Sequence, residues 1–412
     1  MSFKSKVKGF IIYRITKPLI HFFHVFPNLI CSFSPMQDTI VMESNPDLAC
    51  NTYELYRYMR ENNVFPGFKY IWLVNNPEKY KSLEDDTVTF ISIVPTGFKE
   101  KMRKYKICNR AKLLIDCNRH YRRYKTSRKQ INVYLDHGSP LKDMVSKYRY
   151  PLDYSFDYII SQAEFFNPYL LQQYKSKNEQ IYVGGVPRND QFFKADVSLS
   201  SIYPDIEAFK KIIVWVPTFR KIKDNGRVDC VSDLPLGMPV MYSDQDILKL
   251  EEKLNSLSML LIIKPHPAQD LSVLKKLNCK NIRILYNEDM LDNSVQTNEL
   301  LKQCDAMVTD YSGIYYDYLL LDRPIGITLD DYEEYKKQKG FVFDNEMDVL
   351  KGYYIYNLSD MIGFIDSVND GIDEHLDERT KIKKMTNDFC DGYSSKRVCD
   401  FIVKKYREKW NK

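Results

Sequence analysis

Short apolar runs alternate with longer amphipathic stretches through most of the chain. Asp38 to Met42, Tyr70 to Val74, Val88 to Ile93, Leu113 to Asp116, Ile131 to Leu135, Tyr158 to Ser161 and Ile181 to Val183 read as strands. Several intervals between them are long enough for the crossover helices that parallel strands require. Residues 193 to 209 break the rhythm with polar and turn-forming residues and read as a linker. A second series follows at Ile212 to Val216, Met259 to Ile263, Ile282 to Leu285, Ala306 to Thr309 and Pro324 to Thr328. Most of these are unbroken apolar runs, the pattern of strands covered on both faces. Lys221 to Tyr242, with Pro235, Gly237 and Pro239, reads as a mobile connection outside the core. From Ser359, taken as an N-cap, three helices close the chain, the last rich in Lys and Arg at Lys396 to Lys409. The pattern predicts an α/β fold of two doubly wound halves, 31 to 195 and 208 to 392, with a final helix over 393 to 412.

Composition supports two cores: with 412 residues, 44% apolar and 28% charged, disorder is not the default. Nine cysteines lie scattered without a CxxC pair or any spacing typical of a zinc ligand set, so they are expected as reduced thiols and no metal site is predicted.

The net charge of +5 is local. Residues 1 to 30 carry Lys4, Lys6, Lys8, Arg14 and Lys17 and no acidic residue, and the rest of the chain balances. Phe3, Val7, Phe10, Ile11 and Ile15 stand at helical spacing beside these cations, ahead of a break at Pro18. Residues 1 to 30 therefore read either as an interfacial amphipathic segment or as an ordinary first helix. No run reaches the roughly 20 apolar residues of a membrane span. A second basic stretch from Lys99 to Lys129 includes Arg122 and Arg123. Both stretches suit an anionic membrane surface or a polyanionic chain. Tyr105, Tyr121 and Tyr124 lie among the second set, but no nucleic-acid-binding module accompanies them, and nucleic acid is not an expected partner.

In open α/β sheets ligands bind beyond the carboxyl ends of the strands. Five segments stand there: Asp136 to Lys142 (DHGSPLK), Gly184 to Asp190 (GGVPRND), Pro217 to Arg220 (PTFR), Lys264 to Pro267 (KPHP) and Thr309 to Asp317 (TDYSGIYYD). His137, beside Gly138, has the reference basicity to take a proton from a hydroxyl near neutral pH, although a histidine at such a turn is more often structural. His266, held between two prolines beside Lys264, is placed to hydrogen-bond a phosphoryl oxygen. Arg188 and Arg220 offer planar forks for phosphate, or for a carboxylate such as Asp190 or Asp310. Thr309, Asp310, Tyr311, Ser312 and Gly313 read as a strand-to-helix turn that presents amides and hydroxyls to an anion, or as simple N-capping.

In this order, the five segments resemble the CDP-glycerol glycerophosphotransferase family of teichoic acid and capsule polymer synthesis. Asp330 to Phe343 (DDYEEYKKQKGFVF) and Asp391 to Arg397 (DGYSSKR) extend the resemblance. It implies a GT-B arrangement of two Rossmann-like domains facing a cleft, with the acceptor on the first and a CDP-glycerol or CDP-ribitol donor held mainly by the second. It also implies catalysis by His137 and His266 without an obligatory cofactor or metal. Gly138, Ser139, Lys142, Arg188, Pro217, Thr218, Arg220, Lys264, Thr309 to Gly313 and Asp317 become the expected donor contacts. A lipid-linked or polymer acceptor implies a peripheral place on the cytoplasmic face of the membrane. Three positions depart from the family pattern: Asp136 and Ser139 stand where Trp and Thr are usual, and Gly313 where a second Ser is usual.

Two rival readings remain. One is a nucleotide-sugar glycosyltransferase or epimerase of the same fold, with Asp317 or Glu334 gripping a ribose or sugar. The other is an inactive polymer-binding module, against which the two motif histidines stand. The sequence sets neither the alditol, nor the acceptor, nor the oligomeric state.

Overall fold

The computed structural model describes residues 35–118, 129–143, 156–218, 220, 234–266, 269 and 279–410. The first basic segment, with Lys4, Lys6, Lys8, Arg14 and Lys17, and the pair Arg122 and Arg123 lie outside these residues.

Seven parallel strands form the first sheet: β1 (Gln37–Glu43), β2 (Lys69–Val74), β3 (Val88–Ser92), β4 (Ala111–Asp116), β5 (Ile131–Tyr134), β6 (Tyr158–Ser161) and β7 (Ile181–Val183). Their order is β3-β2-β1-β4-β5-β6-β7, so the winding reverses between β1 and β4. The second sheet contains β8 (Lys211–Val216), β9 (Met259–Ile263), β10 (Ile282–Ile284), β11 (Ala306–Thr309), β12 (Ile325–Thr328) and β13 (Tyr353–Ile355), ordered β10-β9-β8-β11-β12-β13. Here the reversal falls between β8 and β11. Each reversal opens a crevice at the carboxyl ends of the two strands concerned. Every residue of β9 and of β11 is buried, which accounts for runs such as Met259 to Ile263 with no polar alternation.

β13 has no counterpart in the sequence reading. It is three residues long and follows Gly352, where an added Cβ would stand 2.4 Å from the carbonyl oxygen of Ile325. That close backbone approach, rather than an apolar run, defines the strand.

The two lobes share an apolar seam. Leu141, Ala163, Phe166 and Phe192 of the first pack in one cluster with Tyr316, Leu319 and Phe343 of the second. Ring centroids lie 5.1 Å apart for Phe166 and Tyr316 and 4.6 Å for Tyr169 and Phe343. Backbone bonds cross the seam as well, from Val342 N–H to the Leu141 carbonyl (3.0 Å) and from Asp143 N–H to the Gly340 carbonyl (3.1 Å). The connecting stretch 193–209 is seated rather than loose, because Leu199, Tyr203 and Ile206 are buried in the same cluster.

The Ser394–Trp410 helix returns to the first lobe, where Val398, Cys399 and Ile402 enter the core beneath β1, β4 and β5. Phe401 stacks on Tyr182 at 4.0 Å. Other expectations need adjustment. The Leu358–Asp370 helix is capped by the Asn357 side chain rather than Ser359. In the proline-containing stretch after residue 233, Met238, Val240 and Met241 are core residues. No helix among the described residues is long and apolar enough to cross a membrane.

Candidate active site

Three adjacent strands of the first sheet, β1, β4 and β5, end beside the crevice. The turn after β5 is built around Asp136, whose φ is 56°. Asp is among the few residues that tolerate this left-handed region, and a bulky Trp there would be strained. The Asp136 carboxylate accepts the His137 amide (2.7 Å) and the Tyr174 hydroxyl (3.1 Å), which shapes the turn, and its charge also favours the His137 imidazolium. Asn51 locks the same turn by donating to the carbonyls of Leu135 (3.2 Å) and Asp136 (3.1 Å) while accepting the Arg188 amide (3.1 Å). His137 itself is exposed toward the crevice. Its Nδ1 lies 3.7 Å from Cys50 Sγ. Desolvation by the surrounding crevice walls works against the imidazolium, but the hydrogen bond and charge of Cys50 outweigh it and raise the pKa of His137.

The second lobe brings up the turn after β11. Its short helix, Ile314–Tyr318, follows that turn, with Tyr315 N–H bonded to Ser312 O (3.1 Å) and Tyr316 N–H to Gly313 O (3.1 Å). The two loops touch: a Cβ on Gly313 would stand 2.8 Å from the Ser139 carbonyl oxygen and 3.2 Å from its nitrogen. Only glycine allows that approach to the Ser139 backbone. The Ser139 hydroxyl donates to Gln162 Oε1. Gln162 Nε2 continues to Asn387 Oδ1 (2.6 Å), and Asn387 donates to the Tyr316 carbonyl (3.1 Å), which makes a second polar link between the lobes.

Lys264 and His266 follow β9, two strand positions from β11, or about 10 Å along the same rim. Lys264 is buried, its Nζ 3.1 Å from Asn287 Oδ1, and burial pushes its pKa down to about 8. His266 is half-buried. Lys142, half-buried on the first-lobe side, lies with its Nζ 5.8 Å from the centre of the Tyr335 ring.

Other expected donor contacts are engaged elsewhere. Arg220 is fully buried, paired with Asp331 (2.6 Å) and Asp310 (3.0 Å) and facing the rings of Tyr311 and Tyr335. Its fork braces the second lobe. Asp310 also accepts the Thr218 amide and hydroxyl, Thr309 Oγ1 donates to the Val216 carbonyl (2.9 Å), and Tyr311 OH donates to Asp331 (3.1 Å). Thr309, Asp310, Tyr311, Pro217 and Thr218 are thus buried supports, and Ser312 and Gly313 are the half-buried members of that loop.

Arg188 spans the lobes. Its Nη2 lies 2.6 Å from Asp317 Oδ2, and its Nη1 donates to the His137 carbonyl (2.7 Å) and to Cys50 Sγ (3.2 Å). Asn189 donates to the other Asp317 oxygen (3.1 Å). Asp317 is therefore a buried anchor, and Arg188 holds the His137 turn. Glu334 is exposed and accepts Gln338 Nε2 (2.7 Å).

The GGVPRND and DGYSSKR segments prove to be partners. Asp190 accepts the amides of Ser394 (2.8 Å) and Ser395 (2.7 Å) at the start of the last helix, and Arg397 donates to the Gly184 carbonyl (3.0 Å) while pairing with Asp391 (2.8 Å). Gly185, at φ 75°, leaves room that a Cβ would take from Ser394 Oγ, 2.4 Å away. Cys50, Cys117, Asn51, Gln162 and Asn387 carry no motif and were missed by the sequence reading.

Residues 28–404 match the family model described as CDP-Glycerol:Poly(glycerophosphate) glycerophosphotransferase. A teichoic acid ribitol-phosphate primase of Bacillus spizizenii is 25% identical over 263 residues, 61% of this chain and 60% of that protein. A teichoic acid glycerol-phosphate primase of Bacillus subtilis is 26% identical over 253 residues, 60% of this chain and 58% of that protein. The chain thus spans about three-fifths of the length of these two relatives. Among solved structures, the wall teichoic acid polymerase TagF superposes with a TM-score of 0.70 at 20% identity, covering 99% of each chain. A UDP-GlcNAc 2-epimerase of Methanocaldococcus jannaschii superposes at 0.53 with 13% identity, over 89% of this chain and 99% of that one. These likenesses establish the fold as GT-B, two Rossmann-like domains with a cleft between the carboxyl edges of their sheets. With the family model spanning nearly the whole chain, this protein belongs to the CDP-glycerol:poly(glycerophosphate) glycerophosphotransferase family.

Proposed function

We propose that this chain transfers a phosphoalditol unit, glycerol phosphate in the first instance, from a CDP-activated donor to an acceptor hydroxyl, releasing CMP. The observation that carries the reading is the contact between the His137–Ser139 turn and Ser312–Gly313. It sets an exposed imidazole from one sheet against a strand-to-helix turn from the other. In this mechanism His137 removes the acceptor hydroxyl proton, the oxygen attacks the β-phosphorus, and the bond to CMP breaks as the phosphodiester forms. Lys264, His266 and the half-buried Ser312–Gly313 turn hold the diphosphate charge, since catalysis of phosphoryl-type transfer rests on positioning and electrostatics. Arg188, Asp317, Arg220 and Asp331 act one step back by fixing the loops.

The reaction as written needs no obligatory metal. A lipid-linked or polymeric acceptor on the cytoplasmic membrane face suits the two basic stretches, each cation near an anionic bilayer contributing roughly 1 kcal/mol. Liposome sedimentation of the full chain against a variant lacking residues 1–30 tests that part, and equal sedimentation removes it.

Product analysis with CDP-glycerol, CDP-ribitol and UDP-sugars tests the reaction class. CMP release that depends on acceptor, with a phosphodiester product, is the expected result. Turnover of UDP-sugars alone would establish the glycosyltransferase reading, and donor binding without turnover the inactive-module reading.

A further inference from the structure

We propose that Cys50, Cys117 and His137 form a binding site for a soft divalent cation of the zinc class, and that a cation held there silences transfer. The two sulfurs and a ring nitrogen of His137 all lie within 4.8 Å of one another. The Cys50 Sγ to His137 Nδ1 separation is 3.7 Å. With zinc at about 2.3 Å from sulfur and 2.0 to 2.1 Å from nitrogen, the sulfur–nitrogen edge of a tetrahedron is roughly 3.6 Å, so that edge is already formed. Two thiolates and an imidazole are the donor set that selects zinc over magnesium or calcium.

The three residues are far apart in sequence, which is why spacing gave no signal. The sheet order brings them together: Cys50 opens the helix after β1, Cys117 follows β4 and His137 follows β5, and these strands are neighbours. Cys117 is buried, Cys50 half-buried and His137 exposed, so a cation enters from the crevice and its fourth position faces solvent, as in three-ligand zinc sites. The Cys117 thiol donates to Asn118 Oδ1 at 2.9 Å, and cation binding releases that proton. The Arg188 guanidinium, 3.2 Å from Cys50 Sγ, is compatible with occupancy because two thiolates balance the divalent charge.

The consequence rests on the role proposed above for His137. A neutral imidazole has one nitrogen able to accept a proton. A cation on Nδ1 takes that lone pair and leaves the proton on Nε2, so neither nitrogen can serve as a base. Filling the site therefore converts an active chain into an inactive one, reversibly.

The test uses the full chain stripped of metal, with cobalt(II) as the optical probe and zinc(II) as competitor. The expected result is one cobalt per chain with a thiolate-to-cobalt charge-transfer band, displaced by zinc. CMP release should stop on zinc addition and return on chelation. Cys117→Ala and, independently, Cys50→Ser should each weaken binding by at least about tenfold, the loss that follows removal of even a hydrogen-bonding partner of a ligand. Metal-free Cys117→Ala should still transfer, now resistant to zinc. Absence of the band in the parent chain, or an unchanged band in both variants, overturns the site, and a filled site with undiminished transfer overturns the inhibition. If the metal-free parent turns over no donor, the proposed reaction fails while the cobalt band still decides the site.

Discussion

Gly313 lies so close to Ser139 that a Cβ would approach the Ser139 carbonyl oxygen to 2.8 Å. Neither atom sits on a flexible side chain, so relief requires moving a backbone, and the two backbones belong to different lobes. Gly313→Ala should therefore shift the His137 turn relative to the second lobe. Displacement by an ångström costs transfer rates about 10²-fold. The check is kcat for CMP release beside the thermal midpoint: a large fall in the first with little change in the second is expected.

Among the described residues, Arg188 and Asp317 form the most enclosed ion pair across the lobes, with side chains 11% and 1% exposed. Burial raises the pKa of Asp317 in spite of Arg188 and Asn189, so the carboxylate depends on these partners. Removing one partner of a buried pair costs about 3 to 5 kcal/mol, whereas replacing both with apolar groups is often near neutral. Arg188→Met should destabilise by that order, and Arg188→Met with Asp317→Leu should recover most of it in urea denaturation. Equal losses in the single and double variants would contradict the cost of an unpaired Asp317 as the source of the loss.

Lys264 supplies a pH dependence. Its ammonium is held at about 8 against an ordinary value of 10.5 because it is buried. Between those values the unfolded chain binds more protons than the folded one, so this group's contribution makes stability rise with pH across that window. A shift of this size corresponds to a cost on the order of 3 kcal/mol at neutral pH. Lys264→Met should accordingly be more stable at pH 7, should lose that slope, and should bind donor more weakly. In the parent chain donor KM should climb above about pH 8 as the ammonium is lost. A flat KM profile through pH 9 would remove Lys264 from the donor site.

Chelation offers a further test, because the proposed reaction draws on lysine, histidine and amide groups for its electrostatics. CMP release should persist in excess chelator. Loss of activity that magnesium alone restores would contradict this.

The alternation of apolar runs was enough to place twelve of the thirteen strands among the described residues, because buried parallel strands are unbroken in sequence as well as in space. The motif segments were likewise visible as His, Arg and Gly at strand ends. Their division of labour was not. Arg220 and Arg188 look like phosphate forks in sequence, yet their partners Asp331 and Asp317 stand 111 and 129 residues away and only the fold brings them near. Asp190 meets Ser394 across 204 residues and turns an apparent site motif into a helix cap. Cys50 and Asn51 left no trace, since a cysteine and an asparagine at a helix start are ordinary until β1 and β5 are known to flank β4.

The central claim is that His137 is the base that activates the acceptor. General-base catalysis contributes about 10² to 10⁴ in rate. The most direct measurement is CMP release from CDP-glycerol, with acceptor present, by the parent chain and by His137→Ala at matched folding. A fall within that range, with donor binding retained, is the predicted result, and near-normal transfer by the variant would contradict the account.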